Sequence, residues 1–208
     1  MNGTTMKQDQ LVVGMLASLR GLAPERPLGF SEALKVAELQ ASRLLGLYNI
    51  EHGPIPSEIV TSQGRIAVEY DFDMPDQASG ATDWDCSGRR WVITINGSQQ
   101  ATRQRFTLFH EYKHILDHGR PRLAGADQQR YGRPASEYIA DYFAGCVLMP
   151  RTLLKRAWAN GVQRLVDLAA LFDVSERAIE VRLSQLGLTQ QPARCAPQPS
   201  GPMEGIAA

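Results

Sequence analysis

The sequence predicts an α+β fold in which helices precede and follow a short run of strands. Apolar residues recur at helical spacing between residues 30 and 50. The period then changes to two over residues 65–73, where apolar and polar residues alternate. Helical spacing returns from about residue 99 and continues to residue 188. Because the strand-like segments follow one another and helical segments flank them, the pattern is typical of an α+β domain.

The composition describes an ordinary globular chain. The 208 residues are 43% apolar and 21% charged, and the 22 basic residues balance the 22 acidic ones. This balance excludes a global field that would attract the chain to nucleic acid or to a membrane. The three cysteines lie far apart and form no C-x-x-C pair, which argues against a disulfide framework and a cysteine-type zinc site. The apolar run Leu11–Leu19 is too short to cross a bilayer, so we expect a cytoplasmic protein.

The first third of the chain predicts three helices. A short helix is expected at Gln10–Leu19, followed by a loop that contains proline and glycine. A longer helix covers "FSEALKVAELQASRLLGLYNI", with Ser31 as its N-cap. After a turn, another short helix begins at Ser57.

The strands follow. A half-buried strand is predicted in "RIAVEYDFD" by alternating apolar residues, which are Ile66, Val68, Tyr70 and Phe72. "ATDWDCSGRRWVITING" predicts a hairpin in which one strand ends at Cys86, "SGRR" makes the turn and "WVITI" returns.

Two helices come next. A long helix is predicted at Gln99–His118, because glycine and proline follow it directly. The loop from there to Pro134 is long for a compact domain, so it is either functional or disordered. Ser136 is expected to cap a helix at Glu137–Leu148, with Cys146 on its apolar side, in the core.

The C-terminal part predicts three further helices: Arg151–Ala159, Val162–Phe172 and Ser175–Leu186. The last two have the spacing of a helix-turn-helix, with Asp173 in the turn and four apolar residues facing inward, which are Ile179, Val181, Leu183 and Leu186. Three arginines and four acidic residues between positions 164 and 188 give a charge of minus one, so packing or partner docking is favoured over DNA binding. The tail from Thr189 has the composition of a disordered segment.

The sequence "TLFHEYKHILDHG" predicts a metal site on the long helix. His110 and His114 are four residues apart, so their imidazoles lie on one face and can bind the same cation. Glu111 can reach a water at that cation without being a ligand, which makes it a candidate general base. The alternative is a solvated helix face that carries imidazoles by chance.

A third ligand must come from another element. On a straight helix His118 stands about 12 Å along the axis from His110, whereas metal–nitrogen bonds are about 2 Å long. Glu137 on the next helix is therefore the predicted third ligand. Asp141, one turn later, can accept the remaining N–H of a ligating histidine. The alternative is an acidic helix start that faces solvent. This donor set suits Zn²⁺, with Mn²⁺ as the other candidate.

Further residues are candidates for roles at the site. The thiolate of Cys86 could occupy a fourth coordination position and hold the site latent, although a free cysteine is more often a small buried side chain. Tyr131, His118 and the loop arginines are candidate donors to a developing oxyanion, although each could equally be a surface residue.

Two motifs resemble those of the ImmA/IrrE family of HEXXH zinc metallo-endopeptidases. "HEYKHILDH" resembles the first, and "EYIADYFAGCVLMP" resembles the second, which has the form E-x-x-A-[DN]-x-F-A-x-x-L-[LM]-M-P. "GRRWVITING" and "LAALFDVSERAIEVRLSQLGL" also resemble family segments, so the likeness extends over residues 31–188.

This resemblance implies a small gluzincin-like core with a short antiparallel sheet packed on helices. It implies zinc bound by His110, His114 and Glu137, with Glu111 as the catalytic base. It also implies a protein substrate, an XRE-type helix-turn-helix repressor, whose cleavage releases genes of stress response, mobile elements or phage defence. The resemblance also implies single-stranded DNA as a candidate activator. No membrane partner is expected.

The predicted organisation has four parts: an N-terminal helix and loop at 1–30, a metallopeptidase core at 31–158, a helix-turn-helix-like segment at 159–188 and a disordered tail at 189–208. The main alternative function is a non-catalytic, metal-stabilised sensor or repressor-binding module. Glu111 distinguishes the two, because a structural metal site needs no base. A DNA-binding regulator that uses the C-terminal helices is the third possibility, and the balanced charge argues against it.

Overall fold

A computed structural model describes residues 14–120, 123–124, 128–130 and 132–188. Together they form the α+β architecture that the sequence predicts. In chain order the elements are α1 (residues 14–20), α2 (Phe30–Leu47), α3 (Glu58–Thr61), β1 (Ile66–Asp71), β2 (Gly80–Asp85), β3 (Arg90–Asn96), α4 (Ala101–Asp117), β4 (Gln129–Arg130), β5 (Arg133–Pro134), α5 (Ala135–Leu148), α6 (Arg151–Ala159), α7 (Leu165–Phe172) and α8 (Glu176–Leu186).

The main sheet is mixed, whereas an antiparallel sheet was expected. Its strand order is β1-β3-β2; β2 pairs with β3 antiparallel, and β1 pairs with β3 parallel. The reason is the connection after β1, which crosses the end of the sheet and starts β2 on the far side of β3. The buried amide of Asn96 holds this connection by donating to three carbonyl oxygens, those of Met74, Pro75 and Ala78.

The core forms where α5 lies between α2 and α4. The apolar residues of α5 make this possible, because they surround much of the helix; those fully buried include Ala140, Phe143, Ala144, Val147 and Leu148. The rings of Phe143 and Tyr112, on α4, have centroids 6.3 Å apart. The other side of α4 covers β2 and β3, where Trp91, Ile93 and Ile95 are buried. The position of α4 is therefore fixed by packing on both sides.

Both predicted N-caps are wrong by two positions. Helix α2 begins at Phe30 after Gly29, so Ser31 lies inside the helix. Helix α5 begins at Ala135 after Pro134, so Ser136 also lies inside. Extended backbone at the preceding glycine and proline starts each helix earlier than the serine signal suggests.

Three apolar side chains predicted to face inward are exposed. Tyr70 is 55% exposed on the edge strand β1, and Phe72, which follows that strand, is 69% exposed. On α8, Ile179 and Leu183 are buried as predicted, but Val181 is 41% exposed. Cys146 is buried, as expected.

Helices α7 and α8 are joined by a tight turn and attached to the core by arginines. Asp173 adopts the left-handed conformation at the end of α7, with φ 52° and ψ 56°. The hydroxyl of Ser175 accepts a hydrogen bond from the N–H of Ala178 and so caps α8. Arg105 on α4 forms an ion pair with Asp173, and Arg182 donates to the carbonyl oxygen of Met149. The helix-turn-helix assignment and the boundary at residue 159 remain predictions.

Some predictions fall outside the described residues. These are the start of the first helix at Gln10, the candidate oxyanion donor Tyr131 and the tail from Thr189. In the loop before Pro134, the described part includes the short antiparallel pair of β4 and β5. Among the described helices, none combines the length and apolar character that crossing a membrane requires.

Candidate metal centre

Helices α4 and α5 bring three potential ligands together. His110 and His114 lie on one face of α4, and Glu137 lies in the first turn of α5. The two Nε2 atoms are 3.1 Å apart. A carboxylate oxygen of Glu137 lies 3.3 Å from the Nε2 of His110, and its other oxygen lies 3.3 Å from the Nε2 of His114. Among the described residues, these three form the one cluster with metal-ligand geometry.

The spacing of these atoms fits a tetrahedral ion. Two ligands bound to such an ion by bonds of about 2.0–2.2 Å lie about 3.3–3.6 Å apart. The observed separations of 3.1 and 3.3 Å are close to this range. The set of two imidazoles and one carboxylate is also that of catalytic zinc sites with an open fourth position.

Asp141 and Arg133 support the cluster from outside. The Nδ1 of His110 lies 2.8 Å from one oxygen of Asp141, so it donates to that carboxylate and Nε2 is left to face the other two ligands. Arg133 donates to the second oxygen of Asp141 at 2.9 Å, and it lies 3.8 Å from Glu137. Arg133 therefore forms ion pairs with both carboxylates near the N-terminal end of α5.

The electrostatics of the cluster favour a cation. Burial lowers the pKa of His110, but hydrogen bonds to Asp141 and Glu137 outweigh it and raise the pKa to about 9. The hydrogen bond with His110 and the nearby positive charges lower the pKa of Glu137 in spite of its partial burial. The carboxylates around His110 thus stabilise positive charge between the helices, and the neighbouring cationic groups in turn stabilise the ionised form of Glu137.

Glu111 lies beside the cluster, and its carboxylate points toward β2 of the sheet. Its side chain is buried, and one carboxylate oxygen accepts a hydrogen bond of 2.8 Å from the hydroxyl of Thr82 on β2. The close approach of the strand depends on Gly80, where a Cβ would lie 2.5 Å from the side chain of Thr107. The glycine therefore lets β2 reach α4 and position the Glu111 carboxylate.

More than half of the chain matches the model of one known protein family. Residues 70–184 match the family model of the IrrE N-terminal-like domain, peptidase family M78. The chain belongs to this IrrE-like family. This confirms the resemblance to ImmA/IrrE proteins and indicates a metallopeptidase.

Solved structures show a similar fold. Eleven solved chains match this one. Among them is a Mycobacterium tuberculosis transcriptional regulator, with a TM-score of 0.53 and 19% sequence identity. The match covers 76% of this chain and 48% of the regulator, so the IrrE-like chain corresponds to about half of that protein. No curated protein matches the chain.

The structure places two further candidates for this IrrE-like site, His118 and Cys86, away from the ligand cluster. His118 ends α4 and its ring packs edge-on against Trp91, with centroids 4.7 Å apart. Cys86 is exposed in the β2–β3 turn and does not belong to the ligand cluster. The turn begins after Asp85, about 10 Å along the strand from Thr82. A latent fourth ligand from Cys86 would therefore require the turn to move.

Sequence reasoning missed one residue near the candidate site and did not single out another. Thr82 lies in a strand where no motif singles it out, and only the packing of β2 on α4 brings its hydroxyl to Glu111. Arg133 was included only as one of several loop arginines. Arg133 lies in β5, directly before α5, and its side chain reaches Glu137 and Asp141 of that helix. Its closeness in sequence to Glu137 was an available signal.

Proposed function

We propose that this chain is a zinc-dependent endopeptidase. His110, His114 and Glu137 hold the ion, and Glu111 is the general base. The observation that carries the proposal is the convergence of three ligand side chains: the two Nε2 atoms are 3.1 Å apart, and each lies 3.3 Å from one oxygen of Glu137, with the buried carboxylate of Glu111 beside them. Zinc suits two imidazoles and one carboxylate, whereas manganese prefers oxygen-rich sites and is the second choice.

Each residue of the site has a separate role in the proposed reaction. The ion supplies Lewis acidity, which activates water and polarises a carbonyl oxygen. Glu111 accepts a proton from the attacking water and passes it to the departing amine, while Thr82 orients its carboxylate. Asp141 holds His110 in the tautomer whose Nε2 carries the lone pair.

The proposed substrate is a helix-turn-helix repressor of the XRE type. Membership in the IrrE-like family supports this proposal, and so does the fold shared with a protein described as a transcriptional regulator. Cleavage would release genes of stress response, mobile elements or phage defence, with single-stranded DNA as the candidate trigger. We also propose that α7 and α8 form a helix-turn-helix-like unit on a gluzincin-like core.

Replacing Glu111 by glutamine tests catalysis. The amide keeps the size of the side chain and cannot accept the proton, so Glu111→Gln should keep bound zinc and lose cleavage by about a hundredfold or more. The measurement is cleavage of a helix-turn-helix repressor encoded beside this gene, followed by electrophoresis, with and without single-stranded DNA.

Glu69→Gln is the matched control, because Glu69 is an exposed residue on β1. Cleavage at the wild-type rate by Glu111→Gln would refute the role of Glu111. Zinc binding without cleavage by any form of the chain would favour the non-catalytic sensor or repressor-binding module.

A further inference from the structure

A cleft of about 600 Å³ lies between α4, α5 and α8. This volume lies in the range of ligand-binding clefts. Residues from all three helices line it, including Arg103 and Phe106 of α4, Tyr142 of α5, and Val181 and Arg182 of α8.

The cleft lies next to the candidate metal centre. Asp141, which receives the hydrogen bond from His110, is one of its lining residues. Arg103 and Phe106 lie on the face of α4 that carries His110, because the three are spaced by three and four residues. The cleft therefore extends from the metal ligands toward the N-terminal end of α4.

Positive charge in the cleft exceeds negative charge. Four arginines and one aspartate line it: Arg103, Arg133, Arg177, Arg182 and Asp141. Arg133 pairs with the aspartate, and Arg177 pairs with Glu180 outside the cleft. In the described parts of the chain, Arg103 and Arg182 have no carboxylate within salt-bridge distance.

Arg182 is the more informative of these two arginines. It is only 1% exposed, and its guanidinium donates to the carbonyl oxygen of Met149 at 3.2 Å and to the side chain of Gln185 at 3.1 Å. It also lies over the ring of Tyr142, 5.4 Å from the centroid. A buried cation without a counter-charge is unfavourable, so an anionic ligand in the cleft would stabilise it.

Apolar surface lies next to this charge. Val181 is 41% exposed although it lines the cleft, and Phe106 is half-buried on the opposite wall. A ligand that covers both side chains and reaches the arginines must carry an apolar group beside an anionic one. A peptide with adjacent apolar and acidic side chains meets this requirement. Nucleic acid fits less well, because its repeating phosphates need a longer row of basic residues.

We propose that the cleft binds the substrate peptide on one side of the scissile bond and selects an acidic side chain there. This rests on the proposed function, since it makes the cleft part of the same peptidase site. Arg103 stands seven positions before His110, which is about 10 Å along the helix axis. An extended peptide advances about 3.3 Å per residue. The acidic side chain is therefore expected about three residues from the scissile bond, with an apolar neighbour between Phe106 and Val181.

Binding of two fluorescent peptides tests the proposal independently of turnover. Both are alanine-based, and they differ only in carrying Glu-Leu or Lys-Leu at the same position. Fluorescence anisotropy with the zinc-loaded full chain carrying Glu111→Gln should show about tenfold tighter binding of the Glu-Leu peptide. Arg103→Glu should reverse the preference and Arg103→Lys should retain it.

A matched pair of variants tests the apolar part of the cleft. Val181→Asp should weaken binding of the Glu-Leu peptide about tenfold, because it removes apolar contact and adds repulsion. Val166→Asp is the control, since Val166 is 44% exposed on α7 and does not line the cleft. Thermal melting verifies that both variants fold.

The outcomes separate the two proposals. Equal affinity for both peptides, or a preference that Arg103→Glu leaves unchanged, would overturn the cleft proposal even if the wild-type chain cleaves its repressor. The predicted preference without any cleavage would support the cleft and refute the proposed catalysis. A fluorescent single-stranded oligonucleotide that loses affinity in both Arg103→Glu and Val181→Asp, while peptides bind without preference, would assign the cleft to nucleic acid.

Discussion

The imidazole of His110 lies between two carboxylates. Its Nδ1 donates to Asp141 at 2.8 Å, and its Nε2 lies 3.3 Å from Glu137. The first contact selects the tautomer, and the second belongs to the proposed coordination sphere. We therefore propose that Asp141 contributes to metal binding without being a ligand.

Replacing Asp141 by asparagine tests this contribution. Asp141→Asn removes the negative charge that orients His110 and raises its basicity, so zinc affinity should fall about 10–100-fold. The measurement is competition with a chromophoric chelator. Asp167→Asn is the control, because Asp167 lies on α7 and pairs with Arg164. Equal zinc affinity in both variants would show that Asp141 has no such role.

Individual residues also show which features of the site could be predicted from the sequence and which could not. The spacing of His110 and His114 predicts their convergence because both lie on one helix. The partnership of Thr82 with Glu111 could not be predicted, because it depends on how β2 packs against α4. The inward prediction for Val181 was wrong, since helical spacing identifies a face but does not say whether another element covers it.

Among the elements, α5 connects the core to the metal centre. Its first turn carries Glu137, and its buried face packs between α2 and α4. The position of Glu137 relative to His110 therefore depends on the packing of α5 on α4. The sequence predicted both helices, but their relative position follows only from the packed structure.

Truncation of Phe143 tests the contribution of this packing. The side chain is fully buried, so Phe143→Ala should leave a cavity and lower the free energy of unfolding by about 3–5 kcal/mol. The measurement is denaturant unfolding of the zinc-free chain. Val166→Ala is the control, and its exposed position should limit its effect to about 0.5 kcal/mol. A loss for Phe143→Ala no larger than that of the control would contradict the assigned core.

The sheet shows a different limit of prediction. The hairpin of β2 and β3 was predicted from its turn, and the structure confirms it. The parallel pairing of β1 with β3 was missed, because short-range signals cannot show on which side of β3 the chain returns. The buried side chain of Asn96 fixes that connection, and its hydrogen bonds are evident only in the structure.

In the whole molecule, one continuous region joins the proposed metal centre and the cleft. Two helices supply the ligands, β2 positions the candidate base, and α8 closes the far wall of the cleft. Helix α8 and the turn before it thus line the cleft to which the further proposal assigns substrate binding. This arrangement favours a peptide lying across the metal centre toward α8.

X-ray absorption at the zinc edge tests the central claim most directly. With one equivalent of zinc bound to the full chain, we predict two imidazole nitrogens and one carboxylate oxygen at about 2.0–2.2 Å, with the remaining position held by water. Replacing His114 by alanine should remove one nitrogen from this shell. A sulfur neighbour at about 2.3 Å, or a spectrum that His114→Ala leaves unchanged, would contradict the account.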